Sequence, residues 1–105
     1  MITIAFTYRN RPTSIVEKCL NSLKLQSNTN FEVVIVNYGS DVNYTKQLES
    51  ILKNYNFIRY YHVKVAKQLW NKSKAINIAL KQTRTSYFFV ADVDMIFRKD
   101  FIEKL

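Results

Sequence analysis

The sequence predicts an α/β fold, a mostly parallel sheet with helices on its faces, from three observations. Four strand-like runs alternate with three segments of helical periodicity, the pattern of successive βα units. The runs Ile2-Thr3-Ile4-Ala5-Phe6, Phe31-Glu32-Val33-Val34-Ile35-Val36 and Tyr87-Phe88-Phe89-Val90-Ala91 are almost continuously apolar or β-branched, as strands covered on both faces are. The chemically informative polar residues gather after the strands, where open α/β sheets bind ligands.

The elements follow in order. Ile2 to Thr7 reads as a first strand, and Pro12 to about Gln26 as a helix with Ile15, Val16, Cys19, Leu20 and Leu23 on one stripe. Pro12 suits a first helical turn, where its missing N–H costs nothing. Phe31 to Val36 is a second strand, punctuated by Gly39-Ser40-Asp41. Asp41 can cap a second helix whose apolar positions Tyr44, Leu48, Ile51, Leu52 and Tyr55 keep helical spacing. Phe57 to Val63 reads as a third strand. A third helix from about Leu69 to Gln82 offers Leu69, Ala75, Ile76, Ala79 and Leu80 to the core, and Ser86 to Ala91 is a fourth, buried strand.

No Pro/Gly-rich linker, repeat or low-complexity stretch divides the 105 residues, so the chain is one domain or a piece of one. With 48% apolar residues, seven Phe, seven Tyr and one Trp, it can bury a core. Sixteen Lys and Arg against eight Asp and Glu give a net charge of +8, which favours polyanionic partners: nucleotide phosphates, nucleic acid or an anionic membrane surface. The basic residues are dispersed, so charge alone does not choose among these. Cys19 is the single cysteine; no internal disulfide or thiolate metal site can form, and its apolar neighbours mark a buried structural thiol. The first apolar stretch is too short for a signal peptide and no run approaches a membrane span. The expected location is the cytoplasm, with the inner face of a membrane compatible with the charge.

Three polar segments carry chemistry. Asp92-Val93-Asp94 leaves the fourth strand; in extended chain, residues two apart point the same way, so both carboxylates can face one cation. Hard cations such as Mn²⁺ or Mg²⁺ prefer carboxylate oxygens and keep positions open for water and phosphates. Asp is also common in turns after strands, and two solvated carboxylates need no metal. Thr7-Tyr8-Arg9-Asn10-Arg11 leaves the first strand with an aromatic ring, which can stack on a base, and two guanidinium forks that match phosphate oxygens; it can equally be a solvated loop. Trp70-Asn71-Lys72-Ser73-Lys74 opens the third helix, whose N-terminus adds donors for anions, unless Trp70 packs in the core and the lysines are a solvated face.

These three segments, in this order, resemble the nucleotide-sugar-binding half of GT-A-type glycosyltransferases, the family 2 enzymes and the β-1,4-galactosyltransferase group. Phe6-Thr7-Tyr8-Arg9-Asn10-Arg11 is similar to the Arg-Asn-Arg segment ending the first strand of the galactosyltransferases. Trp70-Asn71-Lys72-Ser73-Lys74 is similar to their Phe-Asn-Arg-Ala-Lys helix start, and Ala91-Asp92-Val93-Asp94 to their Asp-Val-Asp strand end. The resemblance implies that Thr7, Tyr8, Arg9 and Arg11 line a uridine diphosphate, with Trp70 and Lys72 on its other side. It places Asn37, where family 2 members usually carry Asp, at the base edge, and Val93 within the nucleotide-sugar site. Asp94 would be the direct ligand of Mn²⁺ (or Mg²⁺) and Asp92 would lie near the ribose or a metal-bound water. The metal would stabilise the charge on the departing nucleoside diphosphate.

The activity implied is metal-dependent, inverting transfer from a UDP-sugar to a saccharide or other glycoconjugate acceptor, as in polysaccharide biosynthesis. The sequence departs from the family at Lys72 in place of Arg, which loses the bidentate fork, at Ile76 in place of Arg and at Ala79 in place of Gly. Leu105 follows soon after the Asp-x-Asp strand, so the resemblance implies that the acceptor half and the carboxylate expected to act as general base lie outside these residues. No catalytic residue is expected within the chain, which alone should not turn over a donor, and its uncovered apolar surface should favour self-association. His62, the only histidine, is expected to be structural or exposed. Two alternatives come from other classes. One is a haloacid-dehalogenase-type phosphatase, which carries its Asp-x-Asp on the first strand; the other is a basic nucleotide- or nucleic-acid-binding module, for which no recognition helix or stacking motif is present.

Overall fold

A computed structural model describes residues 1–64, 71–85 and 87–104. Seven elements alternate: β1 (Ile2–Tyr8), α1 (Thr13–Lys24), β2 (Phe31–Tyr38), α2 (Val42–Leu52), β3 (Ile58–Val63), α3 (Lys72–Lys81) and β4 (Tyr87–Asp92). The four strands form one parallel sheet in the order β3-β2-β1-β4. The expected α/β architecture is present. Its boundaries differ by at most three residues where they can be compared, and the expected third-helix residues Leu69 and Trp70 and the strand residue Ser86 lie outside the described residues.

The sheet's two faces are read from the strand alternation. Ile4, Phe6 and Tyr8 of β1 and Val33 and Ile35 of β2 pack against Val16, Cys19, Leu20 and Leu23 of α1 and Leu48 and Leu52 of α2. The opposite face puts Ala5, Val34, Val36 and Tyr38 under Ala75 and Ala79 of α3, where the small helix residues allow close approach. Tyr55, expected in the second helix, follows it, because that helix ends at Leu52. Asp41 occupies the position before α2, but its side chain makes no cap bond. Asn71 caps α3 instead, its Oδ1 accepting from the Lys74 amide at 3.0 Å.

The fourth strand differs from the expectation of a buried strand. β4 is an edge strand with Tyr87, Phe88 and Val90 exposed. Phe88 and Val90 share the face of Thr3 and Ala5, and the α3 residues Ala75 and Ala79 pack over β1 and β2, which leaves these two β4 side chains bare. After the strand, Phe97, Phe101 and Ile102 return to the core, with Phe97 edge-on to Phe6 and Phe101 edge-on to Phe89. Gln26 ties this return to the end of α1: its Nε2 donates to the Arg98 carbonyl at 2.6 Å and its Oε1 accepts from the Ile102 amide at 3.0 Å.

The base of the sheet holds a polar knot. Glu32 accepts from the Thr3 hydroxyl at 3.0 Å and pairs with Arg59 at 2.9 Å and Arg84 at 3.4 Å. Burial alone would raise its pKa, but the Thr3 hydroxyl and the two guanidinium groups outweigh it and hold the carboxyl below its usual 4.5. A carboxyl whose folded pKa is depressed contributes stability above its unfolded pKa and loses it as pH falls through the folded one. Urea midpoints are therefore expected to fall between about pH 5 and pH 3 in the native chain. In Glu32→Gln the part of that fall due to this carboxylate should be absent; an unchanged pH profile would contradict the assignment.

Candidate nucleotide-binding site

The carboxyl ends of β1 and β4 and the start of α3 meet at one small cleft. Thr7, Arg9, Arg11, Lys72 and Val93 line it, around a volume of about 110 Å³. Thr7 pairs in register with Asp92, so the last ladder position of β4 sets the first carboxylate beside the loop that follows β1. Asp94 stands in a turn closed by the Met95 amide on the Asp92 carbonyl at 3.1 Å. The strand stops at Asp92, so the expected alternation of an extended chain does not orient Asp94; the turn does.

Each carboxylate meets a cation of the cleft. Asp94 Oδ2 lies 3.3 Å from the Arg11 guanidinium and Asp92 Oδ1 2.9 Å from Lys72 Nζ. All four side chains are between 41% and 58% exposed, and ion pairs this wet contribute about 0–1 kcal/mol each. A phosphate can take the cations, or a metal the carboxylates, with little loss. No group of three or more His, Cys, Asp or Glu that could hold a metal occurs among the described residues. The two carboxylates can supply part of a hard cation's oxygen shell, leaving positions for water and phosphate oxygens. The residues present thus fit a cation shared between protein and diphosphate.

One expectation is corrected, the stacking of Tyr8 on a base, and a second expected site residue, Asn37, is buried. Tyr8 is fully buried and its hydroxyl donates to the Arg11 carbonyl at 2.6 Å; its ring packs with Ile4 and Phe6 and offers no stacking face. Burial is the largest influence on its phenol, which titrates above the usual 10.0. Asn37 is also fully buried, its Nδ2 donating to Thr45 Oγ1 at 3.1 Å and to the Tyr60 hydroxyl at 3.0 Å. Its contact with Thr45 lies on the α2 side of the sheet. Tyr60 in turn donates to Glu49 at 2.8 Å, and burial first, then Glu49, pushes its pKa up to about 12. Trp70 lies outside the described residues. His62 is exposed on β3 and stacks on Tyr60. Cys19 is the buried thiol expected, its pKa pushed up to about 12 by burial.

Roomier hollows lie elsewhere among the described residues. One of about 500 Å³ sits at the opposite end of the sheet, lined by Lys24, Phe31, Tyr55 and Phe57 among others. Another of about 590 Å³ lies beside α2 and contains His62, Lys46 and Glu49. Chemistry favours the smaller cleft, because it alone brings Arg9, Arg11 and Lys72 beside two strand-end carboxylates. Sequence reading missed Asn10, whose contacts with Ser40 and Asp41 join two loops, and Gln26. An Asn in an Arg-Asn-Arg-Pro turn was the available signal for the first; nothing local marked the second.

A fold of this kind is found in known proteins. The family model described as "Glycosyl transferase family 2" matches residues 3–105. The chain belongs to glycosyl transferase family 2. The chain is 34% identical over 94 residues to the teichoic acid poly(glycerol phosphate) polymerase of Staphylococcus epidermidis, covering 89% of this chain and 12% of that protein. It is 30% identical over 102 residues to an uncharacterised glycosyltransferase of Rickettsia felis, covering 97% of this chain and 16% of the relative.

Among solved structures, S. aureus TarS 1-349 in complex with UDP superposes with a TM-score of 0.78 at 24% identity, over 98% of this chain and 30% of that one. The mannosyltransferase PcManGT of Pyrobaculum calidifontis, in complex with GDP-Man and Mn²⁺, gives 0.72 at 17% identity, over 91% of this chain and 28% of its own. The fold is thus the GT-A type, and the chain spans less than a third of each of these proteins. Family membership does not favour the phosphatase or nucleic-acid-module alternatives. Among the described residues no helix is long and apolar enough to cross a membrane.

Proposed function

We propose that this family 2 chain forms the donor-nucleotide part of a metal-dependent, inverting glycosyltransferase that uses a UDP-sugar. The observation that carries this reading is the convergence of Thr7, Arg9, Arg11, Lys72 and Val93 on one cleft whose rim holds Asp92 and Asp94. Arg11 and Lys72, released from their ion pairs, bind the diphosphate oxygens, and Arg9 adds a second fork. Asp94, with Asp92 beside it, holds Mn²⁺ or Mg²⁺. When bound, the metal supplies Lewis-acid stabilisation of the departing nucleoside diphosphate. The UDP bound to TarS and the Mn²⁺ bound to PcManGT support this choice of ligand and cation.

In this reading residues 1–105 are the nucleotide-sugar-binding half of a longer GT-A domain. The general base that activates a saccharide or glycoconjugate acceptor comes from outside them. The bare Tyr87, Phe88 and Val90 of β4 support self-association when this segment is isolated.

An amide NMR titration with UDP and the diamagnetic Mg²⁺ tests the location. Shifts are expected at Thr7, Arg11, Lys72 and Val93. Shifts clustered instead at Tyr55 and Phe57, around the hollow at the opposite end of the sheet, would overturn the assignment.

A further inference from the structure

The loop that carries both site arginines is held by one residue in an unusual conformation. Asn10 has φ 48° and is the only non-glycine residue with positive φ among the described residues, a left-handed geometry that Asn tolerates better than most side chains. In that geometry it makes two bonds to the loop after β2. Its amide donates to Ser40 Oγ at 3.1 Å, and its Oδ1 accepts from the Asp41 amide at 2.8 Å. The neighbouring loop bends at Gly39, φ 68°, the other positive-φ position, and its amide is held by the Val63 carbonyl at 2.8 Å. Tyr8 grips the same β1 loop from below through the Arg11 carbonyl.

We infer that Asn10 is a positioning residue: its paired bonds to Ser40 and Asp41 lock the Arg9–Arg11 loop against the β2 loop and so aim the guanidinium groups at the cleft. This rests on the nucleotide reading above. Three physical facts carry it. The left-handed residue sits between the two arginines in the chain. Its bonds span 30 and 31 residues of sequence, so they fix one loop against another and do more than close a local turn. The held loop ends at Arg11, which lies 3.3 Å from Asp94. Without the clamp the arginines keep their charge and lose their preset direction, and ordering them then costs binding free energy.

Asn10→Gly separates this role from a structural one, because Gly accepts the left-handed backbone and removes Oδ1. Ser40→Ala removes the other bond from the opposite loop. Both variants are expected to unfold at nearly the wild-type temperature and to bind UDP in Mn²⁺ about five- to tenfold more weakly, the loss of one oriented hydrogen bond. Hydrogen exchange at the Asp41 amide should accelerate in Asn10→Gly. Unchanged affinity in both variants, with wild type binding normally, would overturn the positioning role and leave the nucleotide reading standing. Unchanged exchange at Asp41 would overturn the clamp itself. If wild type binds no UDP, the nucleotide reading falls and the positioning role with it, while the exchange experiment still decides whether the clamp exists.

Discussion

Asp94→Ala is expected to remove metal-dependent UDP binding while leaving the unfolding midpoint almost unchanged. The carboxylate is half exposed and its ion pair with Arg11 is wet, so the fold loses little. A cation held between protein and diphosphate loses its main protein oxygen, and a fall of at least about a hundredfold is expected for a direct ligand, judged against the 10–100-fold typical of outer-shell changes. Equilibrium dialysis of UDP with and without Mn²⁺ checks it. The metal assignment fails if the variant and the wild type retain UDP equally.

Tyr8→Ala should have the opposite profile, a loss of stability large enough to obscure any measurement of affinity. The ring is fully buried among Ile4, Phe6 and the α1 residues, and aromatic-to-alanine changes in such places cost about 3–5 kcal/mol. Domains of this size are stable by only about 5–15 kcal/mol. Tyr8→Phe keeps the packing and loses only the bond to the Arg11 carbonyl; it should fold and bind UDP within a few-fold of wild type. Urea unfolding of both variants discriminates. A stable Tyr8→Ala with abolished UDP binding would restore the stacking role that the burial of this ring contradicts.

The fate of Tyr8 shows which parts of the molecule were legible in the sequence. Ile4, Phe6 and Tyr8 are two apart, so strand alternation extended from Phe6 already assigns Tyr8 to the α1 face and Thr7 to the other. The stacking expectation treated the residues after Thr7 as loop and abandoned the alternation one residue early, since β1 runs to Tyr8. Asn37 repeats the point, sharing a face with Val33 and Ile35 while β2 continues to Tyr38. Alternation of β and α segments, the parallel sheet and the gathering of Arg9, Arg11, Lys72, Asp92 and Asp94 at the strand ends were all readable, because they follow from periodicity and topology.

Other features were not readable for physical reasons. Periodicity within β4 cannot distinguish a central strand from an edge; that depends on which strands α3 covers. The turn that orients Asp94 depends on the chain returning to the core through Phe97, Phe101 and Ile102, and on Gln26 holding that return from a distance of more than seventy residues. The left-handed Asn10 could be suspected from its turn context, but its partners Ser40 and Asp41 are set only by the pairing of β1 with β2.

The central claim is that the cleft between β1, β4 and α3 binds a nucleoside diphosphate through a shared divalent cation. Calorimetric titration of UDP into the purified chain, once with Mn²⁺ and once with EDTA, tests it most directly. Saturable binding with Mn²⁺ that disappears in EDTA is the result expected. Binding of equal strength in both conditions, or none in either, would contradict it.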